Sequence, residues 1–96
     1  MPRTEESALL AHLPGWQVEE AQGHRQLVRE FRAHDFVGAV DLVNRITPIA
    51  EAESHHPDLL VGWGRVRVQL WTHAAGGLTE NDFIMAARID ELTARG

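Results

Sequence analysis

The sequence predicts an α+β fold, a four-stranded antiparallel sheet with helices packed on one face, in the order α-β-β-α-β-β-α. Three observations predict it. Val66, Val68 and Leu70 alternate with Arg65, Arg67, Gln69 and Trp71, the two-residue period of a half-buried strand. Phe36, Val40, Val43, Ile46 and Ala50 recur at spacings of four, three, three and four, the period of an amphipathic helix, with Ala39, Leu42 and Ile49 widening the stripe. Breaks at Pro14-Gly15, Ala21 to Gly23, Gly62 to Gly64 and Gly76-Gly77 divide the rest into short segments. With no internal repeat, linker or low-complexity stretch, residues 1–96 read as one domain.

The elements follow in order. Thr4 or Ser7 is expected to cap a first short helix, with Glu5 and Glu6 at its positive end and Leu9, Leu10 and Leu13 on its apolar edge. Trp16 to Glu19 reads as a strand, Ala21 to Gly23 as a turn and His24 to Arg32 as the partner strand, with Leu27 and Phe31 on one face and Val28 on the other. His34-Asp35-Phe36 opens the long helix. Pro48, inside its pattern, removes one backbone donor and is expected to kink it or loosen its last turn. The helix must end by His56, because the residue before Pro57 is pushed out of the helical region. Asp58 to Trp63 should pair with the Arg65 to Trp71 strand through the turn at Gly62 to Gly64. Thr79 is expected to cap the last helix, with Asp82 in the third position of a capping box and Phe83, Met85, Ala86, Ile89 and Leu92 on adjoining apolar edges.

Composition excludes several function classes. The formal charge is −5, from 14 acidic and 9 basic residues, so unaided binding to nucleic acid is not expected. There is no cysteine, hence no disulfide framework, thiolate nucleophile or cysteine zinc site, a composition compatible with the expected cytoplasmic location. Met1 to Pro14 is charged and reads as neither a signal peptide nor a membrane anchor, and no apolar run approaches bilayer length, so no membrane partner is expected.

The chemistry-bearing residues concentrate between Glu51 and Asp82. His55-His56-Pro57, Trp63 and His73 lie between those two carboxylates. Histidine both gives and accepts a proton near neutrality. Glu51 and His55 are four apart and would share a helix face, where a carboxylate orients an imidazole and favours its cation. His56 lies past the helix end, and His73 comes from a strand end on the side of Arg67, Gln69 and Trp71. An imidazole and an imidazolium in one cavity remove one proton and supply another, which suits elimination or addition of water. Each residue also has a plainer role: His55, His56 and His73 as surface polar groups, Glu51 as a solvated helix residue, Trp63 as packing, Asp82 as a helix N-terminal charge. Arg65 and Arg67 read as a solvated or subunit-facing sheet surface. Three histidines and a carboxylate are also a zinc inventory, but adjacent histidines diverge and the spacing is not that of a helical zinc site, so no metal is expected.

The spaced set Glu51, His55-His56-Pro57, Trp63, His73 and Asp82, with Thr72-His73 and Gly76-Gly77-Leu78-Thr79, resembles the signature of the pterin-4a-carbinolamine dehydratase family over nearly the whole chain. The resemblance implies dehydration of 4a-hydroxytetrahydropterin to quinonoid dihydropterin, the hydro-lyase step of 4a-hydroxytetrahydrobiopterin dehydratases. That step recycles the pterin cofactor of aromatic amino acid hydroxylases. It implies His55 and His56 as the acid–base pair and His73 as the residue that holds the pterin and polarises the leaving group. Glu51, Pro57, Trp71, Thr72 and Asp82 would then be binding residues, with the pterin between the His55-His56-Pro57 turn and the end of the His73 strand. Trp71 and Thr72 are expected to lend backbone groups to its polar edge. Asp82 is expected to shape the region from outside, and Asp82→Asn to cost less than His55→Ala. The pterin is the substrate, and no cofactor is required. The resemblance also implies a homodimer or dimer of dimers, and an exposed, apolar Asp58 to Trp63 edge strand points the same way. Two positions depart from the family: Ser54 stands where many members carry Asn or Asp, and Leu59 where many are aromatic, so one pocket wall is expected to differ. Other members act as binding proteins, a coactivator that stabilises transcription-factor dimers and relatives that assist Rubisco assembly. The intact histidine set favours the enzyme over that assembly or dimerisation role.

Overall fold

The computed structural model describes residues 1–94 and has the expected order: α1 (Arg3–Leu10), β1 (Gln17–Ala21), β2 (His24–Arg32), α2 (Phe36–Glu53), β3 (Asp58–Gly62), β4 (Arg65–Leu70), a one-turn 3₁₀ segment (His73–Ala75) and α3 (Glu80–Ala94). The strands form one antiparallel sheet in the order β1-β2-β4-β3. β1 and β2 join through Gln22 and Gly23, both at positive φ (51° and 85°), a two-residue turn whose twist matches the strands. β3 and β4 join through Trp63 and Gly64. Gly64 sits at φ 72°, and its carbonyl accepts from the Ala33 amide at 2.9 Å, a close approach that a side chain would crowd.

One sheet face is dry. Leu27 and Phe31 from β2 and Val66, Val68 and Leu70 from β4 meet Ala39, Leu42, Ile46 and Ala50 of α2 and Phe83, Met85, Ala86 and Ile89 of α3. Trp16, expected in a strand, instead precedes β1. It packs edge-on against Phe31 and donates its indole N–H to Asp90 at 2.8 Å, and Arg29 reaches the same carboxylate. Truncation in this core should be costly: Ile46→Ala, at a nearly sealed position, is expected to lose about 2–5 kcal/mol of stability. Urea unfolding checks this, and a loss below that of a surface substitution would take Ile46 out of the core.

Two expectations are corrected. α1 starts on Pro2 without a side-chain cap, so neither Thr4 nor Ser7 caps it. Glu6 is instead buried against Arg25. α2 is rotated relative to the expected stripe. Ala39, Leu42, Ile46 and Ala50 face the sheet, whereas Phe36 and Val37 are 51% and 76% exposed and Val40 also faces out. Apolar residues cover too much of this helix for one sheet face to bury them all. The helix runs through Pro48 and ends at Glu53, before His56 as expected.

The way α2 ends positions the site. Ser54 adopts the left-handed conformation (φ 48°, ψ 40°), its amide bonds the Glu51 carbonyl, and the His55 amide bonds the Ala50 carbonyl at 3.1 Å. This is a Schellman closure. Asn and Asp tolerate that left-handed conformation better than most residues, so position 54 is set by the backbone. Leu59, the other departure, lies on the core side of β3 and packs against the core.

Candidate active site

The closure swings His55 and His56 off the helix end in different directions. His55 is the sheltered one, with 14% of its side chain exposed. Its Nε2 lies 2.5 Å from Oδ1 of Asp82. A carboxylate only accepts, so Nε2 carries the proton and Nδ1 is left as the acceptor. His56 is the open one. Its Nε2 lies 2.5 Å from Oε2 of Glu51, and both side chains are mostly in solvent. Glu51 thus serves His56, not His55. The expected helical pairing fails because the chain reverses at Ser54, between the two.

Asp82 is fully buried and does not act from outside, as expected of it, but as the direct partner of His55. Its second oxygen accepts from the Thr72 hydroxyl and from the Thr79 amide, both at 2.9 Å. The Thr79 bond is the backward half of the predicted capping box, closed by Asp in place of Glu. The Thr72 and Thr79 hydroxyls meet at 2.7 Å. A buried carboxylate with this many donors stays ordered, and it fixes the proton on His55.

Thr72 does not offer its backbone as expected. Its amide donates to the Gly77 carbonyl, and its own carbonyl accepts from Ala75 and Gly77, so its backbone is engaged within the His73–Gly77 turn. It joins the site through its hydroxyl. His73 follows it into the 3₁₀ turn and stacks on Trp71, ring centroids 3.8 Å apart and planes 20° apart. A third ring, which the sequence did not single out, covers the other side of Trp71: His24, at 3.6 Å and 15°. Pro57 holds the passage from His56 into β3. Trp63, 75% exposed at the β3–β4 turn, belongs to neither core nor site. Among the described residues, no three histidines or carboxylates gather as a metal set, and no helix is long and apolar enough to cross a membrane. Arg65 and Arg67 lie on the open sheet face, where the Arg67 guanidinium bonds Glu19 at 2.8 Å and holds that carboxyl below its ordinary range.

A small α+β domain that presents two adjacent imidazoles, each oriented by its own carboxylate, has the equipment of an acid–base protein. The chain belongs to the pterin 4 alpha carbinolamine dehydratase family, whose model matches residues 1–92. It is 50% identical over 92 residues to pterin-4-alpha-carbinolamine dehydratase 2, mitochondrial, of Arabidopsis thaliana, covering 93% of this chain and 49% of that protein. The chain therefore spans about half the length of that relative. Among solved structures, it is similar to a transcriptional coactivator/pterin dehydratase from Brucella melitensis, with a TM-score of 0.84, 32% identity and 95% of each chain covered. A pterin dehydratase-like RuBisCO assembly factor of the alpha-carboxysome shares the fold, with a TM-score of 0.66 and 19% identity over 81% of this chain and 88% of that one.

Proposed function

We propose that this protein dehydrates 4a-hydroxytetrahydropterin to quinonoid dihydropterin and so recycles the pterin cofactor of aromatic amino acid hydroxylases. The observation that carries this reading is the pair of imidazoles, each bonded through Nε2 to its own carboxylate, His55 to Asp82 and His56 to Glu51. The reaction removes the C4a hydroxyl and the N5 proton. An imidazolium protonates the departing hydroxyl, the C4a–O bond breaks, a neutral imidazole takes the N5 proton, and the C4a–N5 double bond forms with release of water. His55 and His56 divide the acid and base roles. His73, held face-on by Trp71, contacts the pterin and polarises the leaving group. Family membership supports the substrate class. The chemistry needs no metal and no cofactor, and we place it in the cytoplasm, which a chain without cysteine suits.

The test is a stopped-flow assay with enzymatically generated 4a-hydroxytetrahydropterin, run with and without chelator. Acceleration indifferent to chelation supports the reading, and an uncatalysed rate sinks it. A bound dihydropterin analogue should move the NMR signals of His55, His56 and His73 together. Changes confined to the Arg65 and Arg67 face would move the site elsewhere.

Two surfaces favour self-association, and the outward face of α2 also keeps an assembly or dimerisation role as the second reading. β3 is an edge strand with Leu60 and Val61 exposed, followed by the exposed Trp63. Pairing β3 with its two-fold copy would close the edge isologously. The Phe36, Val37 and Val40 face would bring dimers together. Light scattering should give the mass of two or four copies, and a clean monomer near 10.7 kDa at micromolar concentration would refute this.

A further inference from the structure

His24 is the first residue of β2, and His73 lies beyond the end of β4. The β2–β4 register, which sets Leu27 opposite Leu70, brings the start of β2 beside the end of β4. There His24, Trp71 and His73 form a stack with the indole in the middle, at 3.6 Å and 3.8 Å and within 20° of parallel. His73 is an exposed side chain on a one-turn segment. Such a ring would sample several rotamers if nothing held it. What holds it is the indole face, which attracts an imidazole and more strongly an imidazolium. The indole in turn is half-buried on the open side of the sheet, and His24 covers its second face.

His24 is itself anchored from the middle of the sheet. Its Nε2 meets Oε1 of the buried Gln26 at 3.4 Å, Gln26 donates to Glu19 at 3.4 Å, and Arg67 holds Glu19. The two longer bonds are weak, but the series runs along one face from Arg67 to the stack. We infer that His24 is a positioning residue: it clamps Trp71 from behind and thereby sets the ring orientation in which His73 meets the substrate. The inference rests on the proposed role of His73, and its structural half is independent of any reaction.

The test has an arm for each half. In His24→Ala, the His73 ring protons should lose the shielding of the indole and move toward the positions of an unstacked histidine. Unmoved His73 signals would overturn the inference even if the protein proves inactive. In the dehydration assay, His24→Ala should lower kcat by about tenfold, as small misplacements of reacting groups do, with less change in KM. His24→Phe, which restores a stacking ring, should recover most of the loss. The same His24 change made on His73→Ala should cost nothing further, and full additivity would show that His24 acts elsewhere. Should His24→Ala fail to fold, His24→Gln removes the ring while keeping a polar side chain and is read in the same way. A parent protein that does not dehydrate the carbinolamine removes the proposed function but leaves the NMR arm to decide the stack.

Discussion

Replacing His55 or His56 by alanine is expected to slow dehydration by about 10²- to 10⁴-fold, the range over which general acid–base catalysis contributes. The fold should survive both changes. His56 lies in solvent and His55 at the margin of the core, beyond a helix end closed by backbone bonds alone. On the proposed function the loss should fall on kcat, since losing an interaction made only in the transition state lowers kcat rather than raising KM. Single-turnover rates with circular dichroism on the same samples make the check. A double variant that dehydrates as fast as its parent would end the acid–base assignment.

Asp82→Asn is expected to be nearly as damaging as His55→Ala. The sequence alone suggests a milder effect, which requires an Asp82 outside the site. Asn has one carbonyl oxygen where Asp has two acceptors. If that oxygen stays with Thr72 and the Thr79 amide, the NH₂ faces His55. His55 must then present a bare Nε2 to the amide, and its proton moves to Nδ1, so Nδ1 no longer accepts. The other flip sets NH₂ against the Thr79 N–H and leaves a buried donor unpaired, at about 1–3 kcal/mol. A loss of roughly 10²-fold or more follows, as when a histidine-orienting Asp is neutralised in a catalytic triad. The ¹⁵N shifts of the His55 ring report the tautomer directly. An unchanged tautomer with a rate within about twofold of the parent would reduce Asp82 to a helix cap.

The two effects differ in how far they were legible beforehand. The element order, the two hairpins, the β2 span and the capping role of Asp82 follow from local signals. Alternation at Val66, Val68 and Leu70, the turn residues around Gln22 and Gly23, expected one residue early at Ala21, and the Thr79-to-Asp82 spacing each act within a few residues, where covalent geometry dictates the outcome. The histidine set and its family signature were equally open to reading, because a motif is carried by order and spacing.

What lay beyond the sequence depends on contacts between distant segments. Apolar residues on α2 supported more than one inward face, and only packing on β2 and β4 chose Ala39, Leu42, Ile46 and Ala50 while leaving Phe36 and Val37 outside. Helical spacing offered Glu51 to His55, but the left-handed Ser54 turned the chain and gave Glu51 to His56. Asp82 became the buried partner of His55 because α3 docks where α2 ends, and His24 reached Trp71 because β2 and β4 pair in one register. The sequence by itself determined which elements form and which residues carry protons. The tertiary structure decided which carboxylate each histidine meets and which rings stack, because both are set by the docking of helices on a sheet whose register no single segment contains.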